Sequence, residues 1–144
     1  MIPKLRTWKK YDSPEMFRDI AFIDFNKKLL GVNYKVSKLT TRLDIETLDK
    51  FILMQSTGIK DKNGVEIYEG DILKLHAIFL APDDKIGYLE YYPKYGYSII
   101  FEGNRLYRQE FWASTNKLNY EVIGNIYENP ELLEGDKKWQ LKVY

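Results

Sequence analysis

The stretch Phe51-Ile-Leu-Met-Gln-Ser-Thr-Gly-Ile-Lys-Asp-Lys-Asn-Gly-Val-Glu-Ile-Tyr-Glu-Gly-Asp-Ile-Leu73 decides the fold class. It opens on an apolar run that suits a strand ending at Ser56, turns polar, and then reaches Asp61-Lys-Asn-Gly64. Asn-Gly is favoured where both central residues of a tight turn take positive φ, so the spacing predicts a turn there and a strand over Val65-Glu-Ile-Tyr68. Gly70 then permits a sharp bend, Asp71 can accept from nearby backbone N–H groups, and a long strand over Ile72–Leu80 follows. Strand, turn, strand, bend and strand in succession describe an antiparallel β protein.

The same pattern continues toward the C-terminus. Ala81-Pro-Asp-Asp-Lys85 closes a hairpin, because Pro starts turns and cannot pair in a sheet centre. Return strands are expected over Ile86–Tyr92 and Tyr95–Phe101, the latter ended by Gly103-Asn104. Over 105–113 the spacing of Leu106, Tyr107, Glu110 and Phe111 gives a weak helical pattern, and a strand fits almost as well. Tyr120–Tyr127 reads as the last strand, with Gly124 marking a bulge or a close backbone approach. Asn129 is a good N-cap, Pro130 suits a first helical position, Glu131 complements the dipole and Gly135 can stop the turn. Leu132 and Leu133 would tuck that turn onto the sheet.

Toward the N-terminus, Lys4–Trp8 alternates polar and apolar, Met16–Phe25 gives a second strand and Leu29–Val36 a third, with Asn26-Lys-Lys as the hairpin connection. Ile45, Leu48 and Ile52 lie at helical spacing behind Asp44, which predicts a short helix near 44–50. The expected division is an N-terminal β subdomain over 1–50, a small β-barrel or roll over 51–135 and a tail over 136–144. The fold class is therefore mainly β, with N-terminal antiparallel strands packed on the barrel and one or two short helical turns.

Composition bounds the chemistry. Among 144 residues, 44% are hydrophobic and 30% charged, the balance of a folded chain rather than a disordered one. Twelve tyrosines lean toward β-structure, and the absence of cysteine excludes disulfides, thiol catalysis and thiolate metal sites. No apolar run approaches the roughly 20 residues of a membrane helix, and no signal-peptide core opens the chain. A soluble cytoplasmic protein with no membrane association is expected. The net charge of +1 hides an asymmetry: residues 1–42 carry 10 Lys/Arg against 4 Asp/Glu, while the rest carries 12 against 17. Either the two parts neutralise each other within one chain, or the basic part meets an anionic partner.

Candidate sites are few. Glu66, Glu69 and Asp71 group three carboxylates beside Tyr68, but a hard cation needs convergent oxygens and no second cluster completes a shell. Asp61-x-Asn63-Gly64 resembles the start of a calcium loop and lacks its further ligands and closing Glu. His76 is the sole histidine and has no nucleophile implied beside it. No catalytic residue, metal ligand or cofactor site is assigned. The richest surface candidate is Tyr88, Tyr91, Tyr92, Tyr95 and Tyr97, with Lys94 among them and Lys85 nearby; such rings can line a peptide groove or stack on bases. On paired strands about half of them should turn inward. A second candidate is a basic patch of Lys4, Arg6, Lys9, Lys10, Lys27 and Lys28, which would serve nucleic acid if the N-terminal sheet aligns it.

Three blocks carry a resemblance. Leu53-Met-Gln-Ser-Thr-Gly58, Lys60-Asp-Lys-Asn-Gly-Val-Glu-Ile-Tyr-Glu-Gly-Asp-Ile-Leu73 and Glu121-Val-Ile-Gly-Asn-Ile-Tyr-Glu-Asn-Pro-Glu-Leu-Leu133 closely resemble the YopX family of phage and prophage proteins, and Lys4–Trp8 is similar to its opening strand. The match spans roughly 4–134, with 74–119 the stretch where such proteins vary. This resemblance implies a mainly β protein whose C-terminal part is similar to an SH3-like barrel. It brings no activity and no site residue. The expectation is a non-enzymatic phage or prophage accessory protein in the cytoplasm of the bacterial host. It would bind a protein partner through aromatic edge surfaces, and it could form a homo-oligomer. The alternative is a nucleic-acid-binding module using the basic N-terminal face.

Overall fold

Short runs of β-branched and aromatic residues, punctuated by Gly, Asn, Asp and Pro, favour hairpins over helices, and antiparallel pairing is what they form. The computed structural model describes residues 4–76, 85–113 and 120–133. Two compact units divide the chain, Met1–Gln55 and Ser56–Tyr144. Both are built mainly of strands.

In the first unit, β1 (Leu5–Lys9) pairs with β2 (Glu15–Phe17) and with the opening half of β6 (Phe51–Lys60). A meander of β3 (Ile20–Asp24), β4 (Leu29–Lys35) and β5 (Thr41–Thr47) forms the other sheet. Leu30, Val32 and Phe51 are buried, with Phe17, Ile23, Leu48 and Leu53 packed around them. Burial of each such side chain stabilises by about 1.5–3 kcal/mol.

Two expectations for this unit need correction. The single strand over Met16–Phe25 is broken at Arg18-Asp19, because Phe17, Ile20, Phe22 and Ile23 do not alternate; Asp19 instead accepts from the backbone and the amide of Asn33. The helix near 44–50 is also absent in its first half. Asp44–Thr47 belong to β5, where Ile45 lies across from Gly31 and the Asp44 carboxylate binds Arg42 rather than a helix N-terminus. Only Leu48–Lys50 coils, as a 3-10 turn.

In the second unit, the end of β6 pairs with β7 (Glu66–Tyr68), and a five-stranded sheet runs β11-β10-β9-β8-β12. These are β8 (Asp71–Leu75), β9 (Lys85–Tyr92), β10 (Gly96–Phe101), β11 (Arg105–Tyr107) and β12 (Tyr120–Asn125). Alternation sends adjacent residues to opposite faces. On one face Leu73, Leu89 and Ile99 pack with Ile67, Trp112 and Tyr120. Ile72, Tyr88 and Ile100 pack on the other face with Leu133.

Polar side chains tie the connections. The Asp61 turn forms where expected, yet only Gly64 of the Asn-Gly pair is left-handed, at φ 80. Asp61 does the rest: Oδ1 accepts from the N–H of Asn63 and Val65 at 2.8 and 2.9 Å, and Oδ2 accepts from the N–H of Val122 at 2.8 Å. Beyond Ser56 the strand persists to Lys60 through a register irregularity, with Thr57 Oγ1 donating to the Ile67 carbonyl. Asp71 Oδ2 accepts from Tyr68 N–H across the bend at 2.8 Å. At Gly124 the β12 register shifts as anticipated, and Asn129 Oδ1 accepts from Asn125 N–H there. Pro130–Leu133 is a 3-10 turn that buries Leu133. The 105–113 segment contains both alternatives in sequence, β11 and then a single helical turn, α1 (Gln109–Trp112). The far end of the expected Ile72–Leu80 strand, most of the 81–85 hairpin, Gly135 and the 136–144 tail lie outside the described residues.

Candidate interaction surface

The β9–β10 connection builds the surface. Tyr92 and Gly96 are the last paired residues, Tyr95 N–H donates to the Tyr92 carbonyl at 3.1 Å, and Gly96 follows at φ 75. This is the three-residue hairpin loop that needs a left-handed residue after its turn, which glycine supplies without steric cost. Gln109, at the start of α1, then clamps the loop: its N–H donates to the Tyr95 carbonyl at 3.3 Å and its Oε1 accepts from Tyr97 N–H at 2.9 Å. Trp112, buried at the other end of α1, donates Nε1–H to the Tyr97 carbonyl at 2.7 Å. One helical turn is thereby fixed against one hairpin.

The clamp sets Arg108 beside Tyr95. The guanidinium lies 5.4 Å from the ring centroid, and Lys94 Nζ lies 5.5 Å from the same centroid. Both fall within the range over which a ring quadrupole attracts a cation. Arg108 also pairs with Glu110 at 3.2 Å. Lys94, Tyr95, Arg108, Gln109 and Glu110 line an open groove of about 420 Å³.

The five candidate tyrosines therefore divide. Tyr88 is 9% exposed and belongs to the core, which removes it from any contact surface. Tyr92 is half-buried, packs beside that core and donates its hydroxyl to Glu90 at 2.8 Å. Tyr91 is 48% exposed and meets Tyr97 edge to face with centroids 5.0 Å apart. Burial raises the Tyr97 phenol above its ordinary value, with Glu69 and Tyr91 adding to the shift. Tyr95, half-buried, is the ring in the groove. Lys85 sits at the opposite end of β9, across from Leu75. Arg108, Gln109 and Glu110 were not among the expected site residues. Their sequence signal was the polar run Arg108–Glu110, with Glu110 in the weak helical pattern, and their approach to Tyr95 depends on the β10–β11 register.

The basic residues differ in what they leave free to contact a partner. Arg6 is 1% exposed and cannot contribute to a contact face. Lys9 binds Glu46 at 2.7 Å. Lys10 lies over the Tyr11 ring, Lys4 is exposed, and Lys27 and Lys28 are exposed in the β3–β4 turn. Of the carboxylate group, Asp71 is buried and serves the bend. His76 Nε2 is 2.7 Å from Glu121 Oε1, which Lys62 approaches at 3.8 Å. Among the described residues, no three His, Cys, Asp or Glu side chains converge as a metal site. No described helix is long and apolar enough to cross a membrane.

The comparisons agree with this architecture. A crystal structure of protein EF1440 from Enterococcus faecalis is similar at 30% identity and a TM-score of 0.59, covering 93% of this chain and 99% of that one. No curated protein matches. The family model described as YopX protein matches residues 4–134, and the chain belongs to the YopX family.

Proposed function

We propose that this chain is a non-enzymatic phage or prophage accessory protein, working in the bacterial cytoplasm, that binds an extended protein segment at the Tyr95 groove of an SH3-like barrel. The observation that carries this reading is Tyr95, whose ring has Lys94 and Arg108 against it in an open groove held rigid by Gln109. An aromatic face flanked by cations suits a segment that brings a flat apolar side chain and a carboxylate close together. The Tyr91–Tyr97 pair adds amphipathic surface to the same unit. Nucleic-acid binding through the N-terminal face has less support, since Arg6 is buried and Lys9 is held by Glu46.

A displayed peptide library tests the proposal. Selection on the full chain should enrich acidic sequences with a proline or aromatic residue, and Tyr95→Ala or Arg108→Glu should weaken the selected peptides tenfold or more. Absence of enrichment, or peptides that bind both variants as well as the parent, overturns it.

A further inference from the structure

The first unit carries a separate surface, the outer edge of β5. Val36 N–H donates to the Thr40 carbonyl and Leu48 N–H to the Lys28 carbonyl, one bond at each end of the β4–β5 ladder. Strand alternation then turns the backbone groups of Arg42, Asp44 and Glu46 toward β4 and those of Thr41, Leu43 and Ile45 outward. β5 is the last strand of its sheet. Natural edges are usually blunted by proline, a bulge or charged side chains; β5 has no proline, lysine or bulge, and its charges, Arg42, Asp44 and Glu46, alternate onto the face opposite Leu43 and Ile45. Instead it exposes Leu43 and Ile45, each at 50%, beside Phe22, whose ring lies over Gly31. Phe22 and Ile45 both sit across from Gly31 in the register, so these apolar groups share one face.

We infer that β5 pairs antiparallel with β5 of a second copy of this chain, about a two-fold axis at Leu43. Charge selects both the partner and the register. Centred on Leu43, the pairing places Arg42 of each copy opposite Asp44 of the other, and Leu43 opposite Leu43. Centring on Asp44 would set two Asp44 carboxylates face to face, and centring on Ile45 would set Asp44 against Glu46 twice. Like charges directly opposite destabilise a strand pair, whereas opposite charges and apolar pairs stabilise it. In the Leu43 register, Thr41, Leu43 and Ile45 present their outward N–H and C=O groups to one another, as an isologous interface requires. Arg42 and Asp44 are already bonded within each chain, at 2.6 and 3.0 Å, so two such pairs side by side form a closed ring of alternating charge. This interface is independent of the Tyr95 groove.

Analytical ultracentrifugation of the full chain across a concentration series tests the inference. A dimer is expected. Leu43→Pro, which removes an outward N–H while leaving the β4 ladder intact, should weaken it at least tenfold. Arg42→Asp should do the same, and the swap Arg42→Asp with Asp44→Arg should restore it. Tyr95→Ala should leave it unchanged. Should Leu43→Pro fail to fold, the charge pair decides. A monomer at every concentration, or a dimer indifferent to Arg42→Asp and its swap, overturns the inference.

Discussion

Asp61 offers the sharpest test of how the second unit is held. Its carboxylate is 6% exposed and accepts three backbone N–H groups, from Asn63, Val65 and Val122. Two of these close the β6–β7 turn. The third reaches 61 residues along the chain to β12. Replacement by alanine orphans all three donors, and each buried donor left unmet costs about 1–3 kcal/mol. The Asn63 and Val65 donors lie in an exposed turn and can turn to water, so their cost sits at the low end; half-buried Val122 bears more. Asp61→Ala should therefore lose about 3–5 kcal/mol. Asp61→Asn keeps one carbonyl oxygen for the turn but aims an NH2 at the Val122 N–H, which should cost about 2 kcal/mol. Urea unfolding followed by Trp112 fluorescence, with Trp8 and Trp139 replaced by Phe, reads the second unit. With m of about 1–1.5 kcal/mol/M, Asp61→Asn should lower the midpoint by about 1–2 M without changing m. Midpoints for Asp61→Asn and Asp61→Ala that coincide, or that stay within about 0.5 kcal/mol of the parent, would refute a role built on these three bonds.

Other expectations follow from single contacts. Trp112→Phe removes the Nε1–H bond to the Tyr97 carbonyl and part of a buried ring, and should cost about 2–3 kcal/mol in urea unfolding followed by circular dichroism; a loss below about 0.5 kcal/mol contradicts the clamp. Lys28 holds φ 56, a conformation costly for a side chain, so Lys28→Gly should stabilise the first unit by about 0.5–1 kcal/mol by thermal unfolding, and destabilisation would count against the strain argument. Glu46 titrates below 4.5, first because Lys9 donates to it and then because Lys50 does. A lowered folded value means its contribution is present above the unfolded value and fades as pH falls through the folded one. Glu46→Gln should therefore lower first-unit stability near neutral pH and converge on the parent as pH falls through the folded value; a gap that persists in acid would disprove the linkage.

Local chemistry made much of the second unit legible. The Asp61 turn, the Gly70-Asp71 bend, the Gly124 bulge and the Asn129-Pro130 turn are each specified by residues within a few positions of one another, and each forms. Errors fell where the local signal conflicts with pairing. Ile45 fits a helical spacing only until β4 offers a partner strand, and a ladder of backbone bonds outweighs a weak helix propensity. The Met16–Phe25 run looks continuous by composition, but its apolar positions fall out of period at Arg18-Asp19. Site residues were half visible for a similar reason. A run of tyrosines announces a surface, while register alone buries Tyr88 and exposes Tyr91. Arg108 reaches Tyr95 through two hairpins and one helical turn, a path no local pattern encodes.

The division between scaffold and surface has a physical basis. In the blocks that carry the family resemblance, the conspicuous polar side chains serve the backbone: Asp61 takes three N–H groups and Asp71 takes one. Asn125 Oδ1 accepts from Tyr127 and Glu128, and Asn129 Oδ1 accepts from Asn125. Side chains committed to internal donors are poorly placed to hold a ligand, since recruiting them would orphan the groups they satisfy. Apolar and aromatic groups that face outward without such internal duties lie mostly elsewhere, at Tyr91 between the blocks, beside the Lys94–Tyr95 groove, and at Leu43 and Ile45 before them. Substitutions there should change binding with little loss of stability, whereas substitutions in the blocks should change stability first. Binding that survived Tyr95→Ala and Leu43→Pro but vanished in a folded Asn125→Asp variant would reverse that assignment.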